Sequence, residues 1–325
     1  MTLAALRRWE SMLAVVLVVE FVSFSLLSPY FLDVDTLSDA TFNFTERALV
    51  ALPLALLIIA GEIDISVAGT IALASVAMGF AAEAGAGTSM LLVVGLGAGL
   101  LAGCLNGALV TWARVPSIVA TIGTMTLFRG IAYAALGDRV LKSYPAPFAT
   151  FGQGYLVGPV SIELALFIVV AMLSGAFLHG TRYGRAVYAI GANPVATRFA
   201  GIRVDRYRFA LFAVTGLAAG LAAVLLTSRL GSTRPSIAQG WELEIIGMVI
   251  LGGVSVWGGK GTIGGVVLAA IVLGLVSFGL GLLNVPGIVM SVIVGVLLIA
   301  VVSVPVISER WMSARAARAN ATGPT

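Results

Sequence analysis

Two carboxylates fall where an otherwise apolar chain has least reason to carry them, in Gly61-Glu62-Ile63-Asp64-Ile65-Ser66. An ionised acid at the centre of a bilayer costs about 2.5–3.5 kcal/mol on insertion scales, so such groups face a pore, a partner or an interface. Two readings stand. Glu62 and Asp64 border a solute or ion path at a broken helix, or the segment is a tight turn in which Asp64 or Ser66 caps the next helix. A second polar patch runs from Ser117 through Thr121, Thr124 and Thr126 to Arg129. The hydroxyls at 117, 121 and 124 share one helix face, which suits passage of a sugar-like solute; the same hydroxyls can instead bond their own backbone carbonyls. With Asn106, the residues Glu62, Asp64, Ser66, Ser117, Thr121, Thr124 and Arg129 form the candidate translocation path.

Other patterns fail as chemistry. Gly252 to Thr262 ends in GGKGT, close to a phosphate-cradling loop, but Val254 stands where a glycine is required and Gly261 where a hydroxyl should follow Lys260. Gly97-x-Gly99-x-x-Ala102 lies inside an apolar run and not after a strand, which removes the dinucleotide reading. Cys104 and His179 are the sole cysteine and histidine, so no intrachain disulfide or cysteine metal cluster can form, and His179 reads as a helix-terminal polar residue and not a ligand. No nucleophile–base set appears. The chain reads as a non-enzyme that holds no metal.

The elements around these residues must be membrane helices. Hydrophobic residues make up 59% of the sequence, charged residues only 10%, and the mean hydropathy is +1.07. So few charges cannot cover a soluble surface, whereas a bilayer requires apolar surface. The apolar runs are long and continuous, not alternating, which excludes a β-barrel. The predicted fold is an all-α polytopic membrane protein of about ten spans, near 11–29, 47–61, 65–82, 89–112, 117–136, 160–179, 208–227, 243–257, 262–283 and 286–304. The first span resembles a signal peptide but lacks a cleavage site before Pro29, so it reads as a retained helix. Gly95, Gly99, Gly103 and Gly107 form a ladder on one face of the fourth span, where a neighbouring backbone could approach closely. Val115-Pro116-Ser117-Ile118-Val119 is echoed by Val285-Pro286-Gly287-Ile288-Val289, a hint of an inverted repeat.

The most polar stretch, 180–208, carries Arg182, Arg185, Arg198, Arg203, Arg206 and Arg208 against the single acid Asp205. Basic loops of membrane proteins collect on the cytoplasmic side. Counting spans from an inside start places most of the 19 lysines and arginines there, with both termini, and leaves the acidic first loop (Asp33, Asp35, Asp39, Glu46) outside. The net charge of +4 is therefore a matter of membrane orientation and does not imply nucleic acid. Helical spacing of Val195, Phe199 and Ile202 predicts a short folded element that docks on a partner. The tails 1–10 and 306–325 read as cytoplasmic, and residues 1–325 as one membrane domain.

Taken together, GEIDISVAG (61–69), NGALVTWARVPSIVATIGTMTLFRGIAY (106–133), TRYGRAVYAIGANPVATRFAGI (181–202) and residues 227–265 resemble the permease subunits of bacterial ABC importers for monosaccharides, the ribose/xylose/arabinose permease family. Segments 39–66 and 282–291 look most like its rhamnose-type branch. The resemblance covers most of 50–302 in order. It implies a dimeric pore (this chain paired with itself or with a sister permease) in lipid of the bacterial inner membrane, a cytoplasmic ABC ATPase that uses ATP and magnesium, and a periplasmic sugar-binding protein. This chain itself then binds no cofactor. It also implies that Gly191, Asn193, Ala196, Gly201 and Ile202 shape the loop that meets the ATPase. Pro194-Val195, Glu244 and Glu62 depart from the family's usual residues. An ion-coupled secondary transporter of a small polar solute is the alternative, with Glu62 and Asp64 as its coupling site.

Overall fold

The computed structural model describes residues 3–42, 44–297, 299 and 303. The described chain runs α1 (Leu3–Leu27), α2 (Val34–Thr41), α3 (Thr45–Ile59), α4 (Val67–Glu83), α5 (Thr88–Thr111) and α6 (Ser117–Leu136). A 3-10 turn (Ala146–Ala149), α7 (Thr150–Gln153) and a two-stranded antiparallel hairpin, β1 (Tyr155–Val157) and β2 (Val160–Ser161), follow. Then come α8 (Ile162–Gly180), α9 (Arg182–Ala192), α10 (Pro194–Phe199), α11 (Val204–Leu230), α12 (Trp241–Leu251), α13 (Ile263–Leu282) and α14 (Gly287–Leu297).

Each of the ten expected spans contains a helix among the described residues, but the helices are unequal. Six described helices are long and apolar enough to cross a membrane, and the bent pair α2–α3 makes up to seven. Helices α4 and α14 are apolar but short, and α12 has only 11 residues. The expected 243–257 span is corrected accordingly: it stops at Leu251, and 252–262 forms a glycine-rich loop. The last span was expected to reach 304; beyond Leu297 it lies largely outside the described residues, as does the tail 306–325. The expected N-terminal tail is also corrected. From Leu3 it is already helix, and Trp9 Nε1 donates to Leu251 O (2.8 Å) while Glu10 accepts from Thr262 Oγ1 (2.6 Å).

Local chemistry sets several boundaries. The side chains of Asp33, Ser161, Thr181, Asn193 and Thr262 each accept an amide of the turn they open, satisfying donors that have no helical partner. Gly231 in a left-handed conformation closes α11.

Helix α3 is central and almost wholly buried, with α11, α8, α12 and α13 packed around it. By contrast α1, α5, α6 and α8 turn large apolar residues outward, among them Val18, Leu101, Val119 and Met172, each more than 60% exposed. Such continuous apolar exposure fits lipid and not water. The glycine ladder does what its spacing predicts. A Cβ on Gly99 would lie 2.4 Å from Gly216 O, and one on Gly103 2.4 Å from Phe212 O; only bare backbone lets α5 and α11 meet this closely.

Contacts between loops fix two ends. At one end the α3–α4, α9–α11 and α12–α13 connections meet the start of α1; at the other, the 28–44 segment, the hairpin and the 231–240 loop gather. Successive spans alternate between them, and the two VPxIV segments open α6 and α14 from opposite ends.

Candidate functional site

The basic end is assembled from three loops that were separate motifs in the sequence. Gly259 N donates to Ile59 O (2.8 Å), joining the α12–α13 loop to the end of α3. Gly191, near the end of α9, sits in the same crossing: a Cβ there would lie 1.8 Å from Ile59 O and 2.4 Å from Gly259 N. No side chain fits at that position without displacing backbone. Tyr188 adds a further tie, its hydroxyl donating to Gly261 O (2.6 Å), and burial raises the pKa of that hydroxyl.

From this crossing the chain turns into α10. Asn193 Oδ1 accepts Ala196 N (3.0 Å), and Pro194 opens the helix where no amide is required. Gly201 takes a left-handed φ of +83° in open space, and Ile202 N reaches back to Thr197 O (3.3 Å) to close the turn. Arg198 pairs with Asp205 at 2.8 Å across the exposed corner. Phe199 is 89% exposed and Val195 62%, four residues apart on this helix. The folded basic element expected from sequence is therefore present, with Gly191 at its root, Asn193 as its cap and an apolar ridge facing outward.

Glu62 belongs to this end too. Its carboxylate lies 2.9 Å from Arg208 in the first turns of α11, and both side chains are largely shielded. The acid expected beside a path is thus held by an arginine of the basic segment. Asp64 is buried and turned the other way: Oδ1 accepts Ser66 N (2.8 Å) and Ser66 Oγ (2.6 Å). Ser66 stands at the N-cap of α4 but donates to Asp64 instead of capping, which corrects half of the turn reading. Asn106 Nδ2 then donates to Ser66 Oγ (2.7 Å), and Thr124 Oγ1 to Asn106 Oδ1 (2.7 Å). Asp64, Ser66, Asn106 and Thr124 so form one closed, buried chain across α4, α5 and α6. Buried polar groups satisfied in this way rigidify what they join.

The remaining path candidates are engaged by backbone. Thr121 donates to Ser117 O (2.8 Å), the within-helix bond that β-hydroxyls favour, while Ser117 Oγ accepts a long bond from Ile63 N (3.4 Å). Arg129 donates to Pro235 O (2.8 Å), Ile237 O (2.6 Å) and Ala68 O (3.1 Å), binding α6 to the 231–240 loop and to α4. It also borders a cavity of about 380 Å³ with Gln239 and Glu242. The path candidates therefore separate in this conformation: Asp64, Ser66, Asn106 and Thr124 share one network, Ser117 and Thr121 bond backbone, Glu62 is held by Arg208, and Arg129 ties α6 to α4 and the 231–240 loop.

Sequence reasoning missed three structural features there. Arg229 makes a two-pronged bond to the fully buried Glu46 (2.8 and 2.8 Å); Glu163 accepts from Thr45 (2.9 Å); and Arg47 pairs with Glu244 beside Trp241. The only signal in the sequence was charge inside or beside apolar runs, and nothing in it specified which residue pairs with which.

Residues 37–302 match the family described as branched-chain amino acid transport system / permease component. Among curated proteins, the chain is 35% identical over 320 residues to autoinducer 2 import system permease proteins LsrD of Escherichia coli O157:H7, Escherichia coli K12 and Shigella flexneri. Each alignment covers 95% of this chain and 97% of the relative. No solved structure matches.

Proposed function

The chain belongs to this family of transport-system permease components, transport proteins and not enzymes, and from that premise we propose that it is the membrane permease of an ATP-driven importer carrying a monosaccharide across the bacterial inner membrane. The observation that carries the reading is the α9–α10 element. It is folded, basic, rooted by Gly191 into the ends of α3 and the α12–α13 loop, and it presents Val195 and Phe199 to solvent. A ridge of this kind on a rigid base can transmit a push from a bound partner into the bundle. The partner that fits is a cytoplasmic ABC ATPase, which uses the ATP and magnesium, so that this chain holds no cofactor. The excess of arginine at this end supports a cytoplasmic placement for it and, with the span count, for both termini. A periplasmic binding protein then delivers solute to the opposite end, and a second permease subunit, the same or a sister chain, completes the pore.

Rhamnose is the solute favoured by the sequence texture. The relatives named above as autoinducer 2 import permeases support a second reading, import of autoinducer 2. Uptake by cells lacking this chain separates them, using labelled rhamnose, ribose, xylose and arabinose together with removal of autoinducer 2 from the medium. Loss of rhamnose uptake alone, restored by the intact gene, is the expected result. Loss of autoinducer 2 removal alone replaces the solute, and unchanged handling of all five overturns the importer reading.

A further inference from the structure

A cavity of about 470 Å³ opens where α3, α12, α13 and α14 converge toward the end away from the basic loops. Arg47, from the first turn of α3, and Glu244, from the first turn of α12, form an ion pair in its wall. The Arg47 guanidinium carbon stands 5.0 Å from the centroid of the Trp241 ring, so cation, indole and carboxylate make one assembled surface. Facing them are two hydroxyls. Ser277 Oγ donates to Leu273 O (2.9 Å) and Ser291 Oγ to Gly287 O (3.1 Å), which spends each donor on backbone and leaves the oxygen as an acceptor. Phe278 and Met290 complete the wall with apolar surface.

Charged side chains among apolar membrane helices are expensive and cluster along solute pathways. We infer that this cavity is a solute-binding station for a neutral polyhydroxylated ring, and the inference rests on the importer reading above. Its volume is within the range of about 300–1,000 Å³ that small-molecule sites occupy. Guanidinium supplies only donors, carboxylate and the two serine oxygens supply acceptors, and a hydroxyl can answer both kinds. The half-buried indole of Trp241 borders the cavity and can cover the C–H face of a ring on the side its guanidinium neighbour leaves open. The cavity is close to charge balance, because its guanidinium and carboxylate neutralise each other. A free anion or cation therefore gains little from it, and a zwitterionic amino acid must break the ion pair to be held.

The test uses intact cells carrying the chain with its natural partners, in a Cys104→Ala background, with Ser277→Cys and Ser291→Cys made singly. A membrane-impermeant maleimide added outside should modify both positions, and rhamnose, ribose, xylose or arabinose should slow that modification while leucine does not. Trp241→Ala should raise the sugar concentration needed for protection about tenfold, and Trp241→Phe, which keeps a ring, much less. Absence of labelling in both variants at normal membrane levels, labelling that none of the four sugars slows, or protection by leucine alone each overturns the station. If deleting the chain abolishes sugar uptake but no protection is seen, the importer stands and the station falls. If protection is seen and uptake survives deletion, the station stands and the importer falls.

Discussion

Glu62 and Arg208 show how single residues hold the basic end together. They are 146 positions apart in the chain by subtraction of their numbers, yet their charged groups lie 2.9 Å apart with little exposure. Removing one partner of a shielded pair leaves the other without compensation, which typically costs about 3–5 kcal/mol. Glu62→Gln and Arg208→Gln should each lower the thermal unfolding temperature of the purified chain, while the double variant should lose much less than the two losses combined. Simple additivity would show that the pair is not energetically coupled. The sequence singled out Glu62, Asp64, Ser66, Asn106 and Thr124 because polar residues are rare in so apolar a chain. It could not show that Glu62 turns toward an arginine while Asp64 turns into the hydroxyl network. That choice is made by packing between elements far apart in sequence. Arg47 and Glu163 went unread and Glu46 was expected in the outer acidic loop, whereas it is buried in α3 against Arg229; a charge at a helix end looks like an ordinary loop residue until its partner is in place.

At the scale of elements, helix identity was legible and helix length was not. Hydrophobicity marks every apolar run, but glycines and turns decide where each stops, so α12 ends at Leu251 while the apolar sequence continues through Val254 and Val256. The ladder on α5 was legible because its four-residue period fixes one helix face; its partner, the Gly216–Gly220 face of α11, was not named by any pattern on α5 itself. Within α5 the contact provides its own control. A methyl group at Gly99 would strike Gly216 O at 2.4 Å, whereas one at Gly97 meets open space. Gly99→Ala should therefore destabilise the purified chain by about 1–3 kcal/mol, and Gly97→Ala by less than about 0.5 kcal/mol. Equal effects, measured by heat or denaturant unfolding in detergent, would mean that the α5–α11 contact does not govern stability. The α9–α10 element was readable as folded from its spacing, but its root was not. Gly191 looks like any loop glycine until Ile59 and Gly259 close on it.

Across the whole molecule, the alternating apolar and polar pattern conveyed an all-α membrane protein with its basic loops gathered at one end, and the helices follow that order. Two polar assemblies are separated along the bundle. The crossing of three loops under α10 offers a grip for a partner, and the Arg47–Trp241–Glu244 cavity at the far end offers a station for a solute. An importer driven by a docked ATPase uses both. An ion-coupled carrier needs a titratable or ion-binding site in its path, and here Glu62 is committed to Arg208 and Asp64 to Ser66. The energy source separates these mechanisms most directly. Solute uptake should be measured in cells whose proton and sodium gradients have been collapsed by ionophores while ATP is maintained, and in cells with gradients intact but ATP depleted. Uptake dependent on this chain should continue in the first condition and stop in the second; uptake that stops with the gradients and survives ATP depletion would rule out an ATP-driven importer.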